Sequence, residues 1–362
     1  MRIEHFVLLL FALACATANQ AAEPPWRVYM QSDMYAYSET SSVKQIVKDD
    51  LEGEHFDGGE HSFTHNLWEL GGQRGPWRVG YFMRYDYALD YSEDTAELIY
   101  ADKNDLPIEQ DREYQVALDV VHARSSGLRL AYDWTFAPAF SLETSLVYLQ
   151  AKRFQDGEVK GFFTAADDTY TGQLALDYYY DKDKLLHRVV ERPSGRGYAI
   201  DLHARWQATG SVQVALKVQD LFSRIDFKDA PFTQAAATSD RVSFDEDGRI
   251  DVKPVLSGRE GYTRHTLRLP VQATLETAYQ HDDSFRYLAT WHRYGDLNFP
   301  SIGVRFYAQP ESYVHGQYDF QSRAVSLGWH GSNTNISLTS DRWELDEART
   351  FGLGFGWSMT FE

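Results

Sequence analysis

Alternate positions from Trp77 to Tyr91 hold Trp77, Val79, Tyr81, Met83, Tyr85, Tyr87, Leu89 and Tyr91, while the positions between include Arg78, Gly80, Arg84, Asp86 and Asp90. Side chains on a strand point to opposite faces in turn, so this spacing predicts one long strand with an apolar face and a wet face. The pattern returns from Leu128 to Phe136, with Arg129 and Asp133 on the wet side, and from Tyr198 to Trp206, with Asp201, His203 and Arg205 there. Further copies run from Tyr114 to His122, Leu142 to Tyr148, Leu174 to Tyr180, Val212 to Val218 and Val271 to Tyr279. A soluble strand usually runs about five or six residues, whereas a tilted strand needs about nine to eleven to cross a bilayer. The apolar faces are rich in Tyr, Trp and Phe near strand ends, where rings settle at the headgroup level of a membrane.

The pattern therefore predicts an all-β fold, a transmembrane antiparallel up-and-down barrel of about sixteen strands, with fourteen and eighteen as alternatives. Short connectors at Gly72–Pro76, Ala137–Ala139, Ala208–Gly210, His281–Asp283 and Gln309–Ser312 suit the short-turn side of such a barrel; counting back from a periplasmic C-terminus puts Gly72–Pro76 and Ala208–Gly210 among the periplasmic turns, and Ala137–Ala139 looks periplasmic by composition. Longer polar stretches at Ser41–Gly59, Glu93–Asp111, Asp181–Gly195 and Asp229–Tyr262 are expected as loops, and Ala96–Ala101 and Lys160–Ala165 as candidate short extra strands. The wet-face residues Arg78, Arg84, Asp86, Asp90, Arg129, Asp133, Asp201 and Arg205 are the candidate lumen lining. They would either set ion preference as rings of charge or pair with one another and fill the bore.

Composition narrows the setting. Arg2, an apolar run from Phe6 to Ala14 and the small residues Ala16-Thr17-Ala18 read as an export signal cleaved after Ala18, leaving residues 19–362 as one barrel domain. The single cysteine, Cys15, falls inside that signal, so no disulfide framework or thiolate metal site is expected. Mean hydropathy is -0.47 although aromatic residues make up 15% of the chain, and no mature segment is apolar enough for a spanning helix. The formal net charge of -18 speaks against nucleic acid as a partner.

The chain ends Phe351-Gly-Leu-Gly-Phe-Gly-Trp-Ser-Met-Thr-Phe361-Glu362, with Phe351, Leu353, Phe355, Trp357, Met359 and Phe361 on one face and Gly352, Gly354, Gly356, Ser358 and Thr360 on the other. This segment resembles the C-terminal β-signal of bacterial outer-membrane barrel proteins, with Phe351, Gly354, Phe355, Trp357 and Phe361 at the matching positions. It departs from that signal in carrying Glu362 after the final aromatic. The resemblance implies an outer-membrane location, lipid as surroundings and the barrel assembly machinery as a partner; it implies no particular cargo.

Candidate chemistry is sparse. Asp245-Glu246-Asp247-Gly248-Arg249-Ile250-Asp251 has the carboxylate spacing of a cation loop but lacks the distal bidentate Glu, and a hairpin tip is the preferred assignment. Arg188, Arg192 and Arg196 bring positive charge to the stretch after Asp181. His61 and His65 share a strand face near Glu60 and Glu69, without a full metal-ligand set. His122 follows an apolar face and marks a strand end; no glycine-flanked serine elbow and no cofactor motif occurs. The expected function is a non-enzymatic channel or transporter for small solutes. The alternative is an occluded barrel serving as scaffold for an envelope polysaccharide or secretion system. Behind these stand an outer-membrane hydrolase and a hydrophobic-substrate transporter. The chain resembles the outer-membrane fatty-acid transporters in its acidic, aromatic-rich strands, but the few residues between Asn19 and Trp26 leave no room for their N-terminal plug.

Overall fold

The computed structural model describes residues 24–48, 58–166, 169–184, 186–239, 242–244, 250–252 and 255–361. The signal segment with Cys15, and Asp245 and Asp247, lie outside the described residues, and of Asp251 only the backbone is described. The strands are β1 (Trp26–Ser38), β2 (His61–Arg74), β3 (Trp77–Tyr91), β4 (Glu113–Ala137), β5 (Phe140–Ala166), β6 (Thr169–Tyr180), β7 (Gly195–Gln207), β8 (Val212–Thr238), β9 (Val242–Phe244), β10 (Ile250–Val252), β11 (Val255–Leu267), β12 (Gln272–Gln280), β13 (Phe285–Tyr294), β14 (Leu297–Gln309), β15 (Ser312–Asp319), β16 (Val325–His330), β17 (Thr334–Ser340) and β18 (Thr350–Phe361). Among the described residues two helices, α1 (Val43–Lys48) and α2 (Glu93–Lys103), lie between strands at the upper rim.

The sheet closes on itself. β18 runs antiparallel to β1 from Trp26 opposite Phe361 to Tyr37 opposite Thr350, so the last strand seals against the first and the lower cylinder is closed, whereas in the crown above it β11 pairs with β8 alone. Phe355, Trp357 and Phe361 face outward from this seam, and Gly352, Gly354 and Gly356 face the lumen, where Ser337 and Asn335 reach across Gly354 and Gly356.

The wall has fourteen staves, the lower of the counts weighed against sixteen. The difference lies in two staves that are each built from two strand segments. β5 pairs along its length with β4 on one side, but on the other with β7 in its lower half and β6 in its upper half. β8 likewise meets β12 below and β11 above. The stretch Asp181–Gly195 is therefore not a rim loop between neighbouring staves. It interrupts a single descending stave, which explains the inflated count from the sequence. Asp229–Tyr262 also differs from a loop, being strand as far as Thr238 and again from Val255; the small β9–β10 hairpin beyond it stands outside the barrel. Lys160–Ala165 belongs to β5 itself. Ala96–Ala101 lies in α2, which Ser92 caps by accepting from the Thr95 amide at 3.2 Å and which carries Glu93 and Asp94 in its first turn, both favourable beside a helix N-terminus.

The staves differ in height. β4, β5 and β8 have 25 to 27 residues, whereas β15 to β17 have only six to eight, so one side of the barrel rises above the other as a tall crown of β4, β5, β6, β8 and β11. The five short connectors all lie at the lower end, where β1 begins and β18 finishes.

The outside is oily. Val79, Leu128, Ile302 and Leu327 are each more than half exposed, in positions where a soluble fold would bury them. A hydrogen-bonded row passes through Phe285, Phe306, Val314, Trp329, Ile336 and Phe355 without meeting a polar side chain. Near the lower rim Trp77 packs on Tyr132 and Tyr132 on Trp134, forming an aromatic girdle. With lipid against this surface, Ile302→Arg is expected to destabilise the barrel by about 2–4 kcal/mol in denaturant titrations from vesicles. A change below about 0.5 kcal/mol would mean that this face does not meet the hydrocarbon.

Candidate functional site in the lumen

The inward residues of β2 descend in the order Phe63, His65, Leu67 and Glu69, and each level meets a different part of the wall. At the top, Phe63 stacks on Tyr294 with ring centroids 3.9 Å apart, and Phe299 and Tyr37 complete a buried aromatic group. Because β13 and β14 stand far around the cylinder from β2, this stack bridges the bore.

Below it the bridge is ionic. Arg84 on β3 donates Nε to Asp86 at 2.6 Å and Nη1 to Asp220 on β8 at 3.0 Å. Asp86 also meets His65 Nδ1 at 2.7 Å, and the Gln272 amide reaches the same ring from β12 at 2.9 Å. One level lower, Arg129 Nε lies 3.0 Å from Glu69 and Nη1 lies 2.9 Å from Asp201, while the Tyr29 hydroxyl donates to Glu69 at 2.5 Å. These groups are withdrawn from water, with Glu69 and Asp220 almost wholly covered. Buried charges need partners, and each carboxylate here has an arginine.

Asp220 reaches the bore because β8 bulges. Ile200 faces Phe222 and Leu202 faces Val218, so Gln219, Asp220 and Leu221 oppose Asp201 alone. Asp220 adopts a left-handed backbone (φ +56), which aspartate tolerates better than most residues, and its amide donates to Asp201 Oδ1 at 2.8 Å. Alternation reasoning passed over Asp220 and Glu69 as lumen groups. The signal for the first was the break in phase at Leu221-Phe222, two apolar residues in succession.

The remaining wet-face residues sit apart from this waist. Arg78 pairs with Glu143 and lies over the Tyr29 ring; Arg205 pairs with Asp133 at 2.8 Å near the lower rim; Asp90 meets His61 at 2.7 Å at the upper rim. His61 and His65 thus bond separate aspartates, and no cluster of three metal-ligating side chains occurs among the described residues. Beneath the waist lies a polar chamber of about 440 Å³ lined by Arg27, Asp33, Arg78, Lys217 and Asn335 among others. Above, the inner face of the crown carries a row of Asp90, Asp119, Glu158 and Asp177 on successive strands. Partial burial, reinforced by Asp156, Asp90 and Glu158, pushes the Asp119 carboxyl above its ordinary range.

Arg188 and Arg192 belong to the segment that interrupts the β6–β7 stave and lies outside the wall as a strap. Arg188 pairs with Glu260 at 3.0 Å and covers the Tyr262 ring; Asp183 accepts from the Tyr178 hydroxyl and from the amides of Leu186 and Arg188. Arg196 projects from β7 toward the exterior beside Gln150, and His122 lies on the outer face between Tyr85 and Tyr87.

The cylinder closes last strand to first, with an oily exterior and a charged interior. This is a β-barrel of the outer-membrane class. No protein-family model and no curated protein matches the chain. Among solved structures the barrel is similar to the Ralstonia pickettii toluene transporter TbuX (9% identity, TM-score 0.46, covering 94% of this chain and 90% of that one). It is also similar to the Pseudomonas putida toluene transporter TodX (10% identity, TM-score 0.44, covering 94% and 89%). Likeness of this degree assigns neither cargo nor mechanism.

The waist makes a stability prediction. Arg129→Met strands Glu69 and Asp201 without a counter-ion and is expected to cost about 3–5 kcal/mol, whereas Arg205→Met, in a half-exposed pair, should cost at most about 1 kcal/mol. Equal losses in chemical denaturation would contradict the difference in burial.

Proposed function

We propose that the barrel is a gated conduit for small solutes across the outer membrane, closed at its waist in the state described here. The observation that carries this is the tie of Arg84 to Asp220, which joins side chains of β3 and β8 across the bore between an upper aromatic group and a lower polar chamber. A barrel serving only as a scaffold has no need of a polar chamber of about 440 Å³ under an ionic contact. An ionic tie suits a gate because Arg84 keeps Asp86 as a partner when the tie opens, while the Asp220 carboxylate, whose cation among the described residues is Arg84, would then be met by water.

The acidic crown face would disfavour anions at the entrance and leave neutral or cationic solutes. A second assignment, transport of apolar solutes, draws support from the aromatic group of Phe63, Tyr294, Phe299 and Tyr37, whose ring faces offer a non-polar surface at the top of the bore.

Planar-bilayer conductance tests the gate. The wild-type protein is expected to conduct weakly, and the double variant Arg84→Ala/Asp220→Ala, which removes both charges of the tie together, should raise single-channel conductance several-fold while remaining a folded, heat-modifiable barrel. A folded double variant no more conductive than wild type would overturn the gate. Swelling of liposomes in uncharged sugars against benzyl alcohol would then separate the polar from the apolar cargo class.

A further inference from the structure

One feature lies on the outer surface, away from the lumen. The hydrogen-bonded row that begins on the lipid face at Tyr287 and Val304 continues through Gly316, Leu327, Leu338, Leu353 and Met34, then reaches Asn66, Tyr85, Arg124 and Arg153. Because strands tilt in a barrel, such a row climbs as it goes round. Leu327 stands close to the lower end of β16 at His330, whereas Arg124 stands midway up the tall β4. Tyr85 is eight positions above Trp77 on β3, roughly 20 Å of height at a 40° tilt, which brings this part of the row to the upper edge of an apolar band about 25 Å tall.

At that level four basic side chains converge outside the barrel. The pairing of β4 with β5 slips between Arg124 and Ser125, an irregularity that leaves both Lys152 and Arg153 on the outer surface, and the strap brings Arg192 beside them. They share an outward-open pocket of about 850 Å³ whose floor includes Met34, Trp68, Tyr81 and Met83. None of the four is ion-paired among the described residues. Asp181 is the acidic group close to Arg192 and Arg153, and its Oδ1 already accepts from the Phe154 amide. Four cations against one engaged carboxylate, above a greasy floor and in a chain of net charge -18, call for an anion that also carries hydrocarbon.

We infer that Arg124, Lys152, Arg153 and Arg192 form a binding site for the phosphate groups of a phosphorylated lipid in the outer leaflet, whose acyl chains lie along Met34, Trp68, Tyr81 and Met83. The site rests on the barrel's place in a membrane and not on what passes through the lumen, so failure of the conductance test leaves it standing. The strap that carries Arg192 would be held to the wall by the same headgroup.

Lipid retention by the purified full-length barrel in detergent, read by native mass spectrometry, tests the site. The probes are a bis-phosphorylated glucosamine-disaccharide lipid, its dephosphorylated form, and inorganic phosphate. Wild type should hold the phosphorylated lipid at least about tenfold more tightly than Arg124→Gln/Arg153→Gln/Arg192→Gln, and the matching triple Lys variant should stay within about threefold of wild type. Lys152→Gln/Arg192→Gln, which alters only the bulge and the strap, provides the same comparison should the triple Gln variant misfold; a loss of at least about threefold is expected there. Equal retention by wild type and Gln variants, or equal retention of the dephosphorylated lipid, would overturn the site. Displacement of the lipid by millimolar inorganic phosphate would reduce it to a plain anion site and overturn the lipid assignment.

Discussion

Hydrocarbon offers no hydrogen bonds, and every feature of this molecule answers to that. A strand lying in lipid must have both edges paired, so the sheet can end only where it began, at the seam of β18 and β1. Once the cylinder is closed, the two faces of each strand inherit opposite surroundings. Apolar residues take the lipid side and charged residues are driven into a confined interior, where they must find partners or be left desolvated. The ties of Arg84 to Asp86 and Asp220, and of Arg129 to Glu69 and Asp201, are that requirement met inside the bore.

The same constraint explains how the bore is filled without a separate plug among the described residues. The bulge at Gln219–Leu221 turns one stave's carboxylate inward, and the aromatic group around Phe63 and Tyr294 closes the level above it. Irregularities of the wall therefore do the work that an inserted domain would otherwise do. The break between β6 and β7 is a second such irregularity, directed outward: it releases a strap that packs over Tyr178, Tyr180 and Tyr262 on the exterior of the crown.

Much of this was legible from alternation, because period two is imposed by lipid on one side along every membrane-crossing strand. The lumen positions of Arg84, Asp86, Arg129 and Asp201 follow directly from the phase of Tyr81, Tyr85, Leu128 and Tyr198. What alternation cannot carry is long-range pairing. Whether the residues after Asp181 start a new stave or resume an old one depends on β5 being long enough to serve two partners, and nothing local in β6 or β7 records that. Asp220 and Glu69 escaped for related reasons: one sits in a bulge that breaks the phase, and the other acquires its role only when Arg129 arrives from two strands away. The basic group of Arg124, Arg153 and Arg192 is likewise assembled by register from segments far apart in sequence.

Everything depends on which face of the ribbons meets lipid, and β14 reports it most cleanly. The chain's one cysteine lies in the predicted signal, so single nitroxide labels can be placed from Ser301 to Phe306 in the mature barrel and their collision rates with oxygen and with a water-soluble nickel chelate compared in vesicles. The structure predicts strong oxygen access at positions 302, 304 and 306, weak access at 301, 303 and 305, and no oxygen-rich signal at two neighbours in succession. Uniform access along the strand, or the opposite phase, would contradict the arrangement of oily exterior and charged interior from which the rest follows.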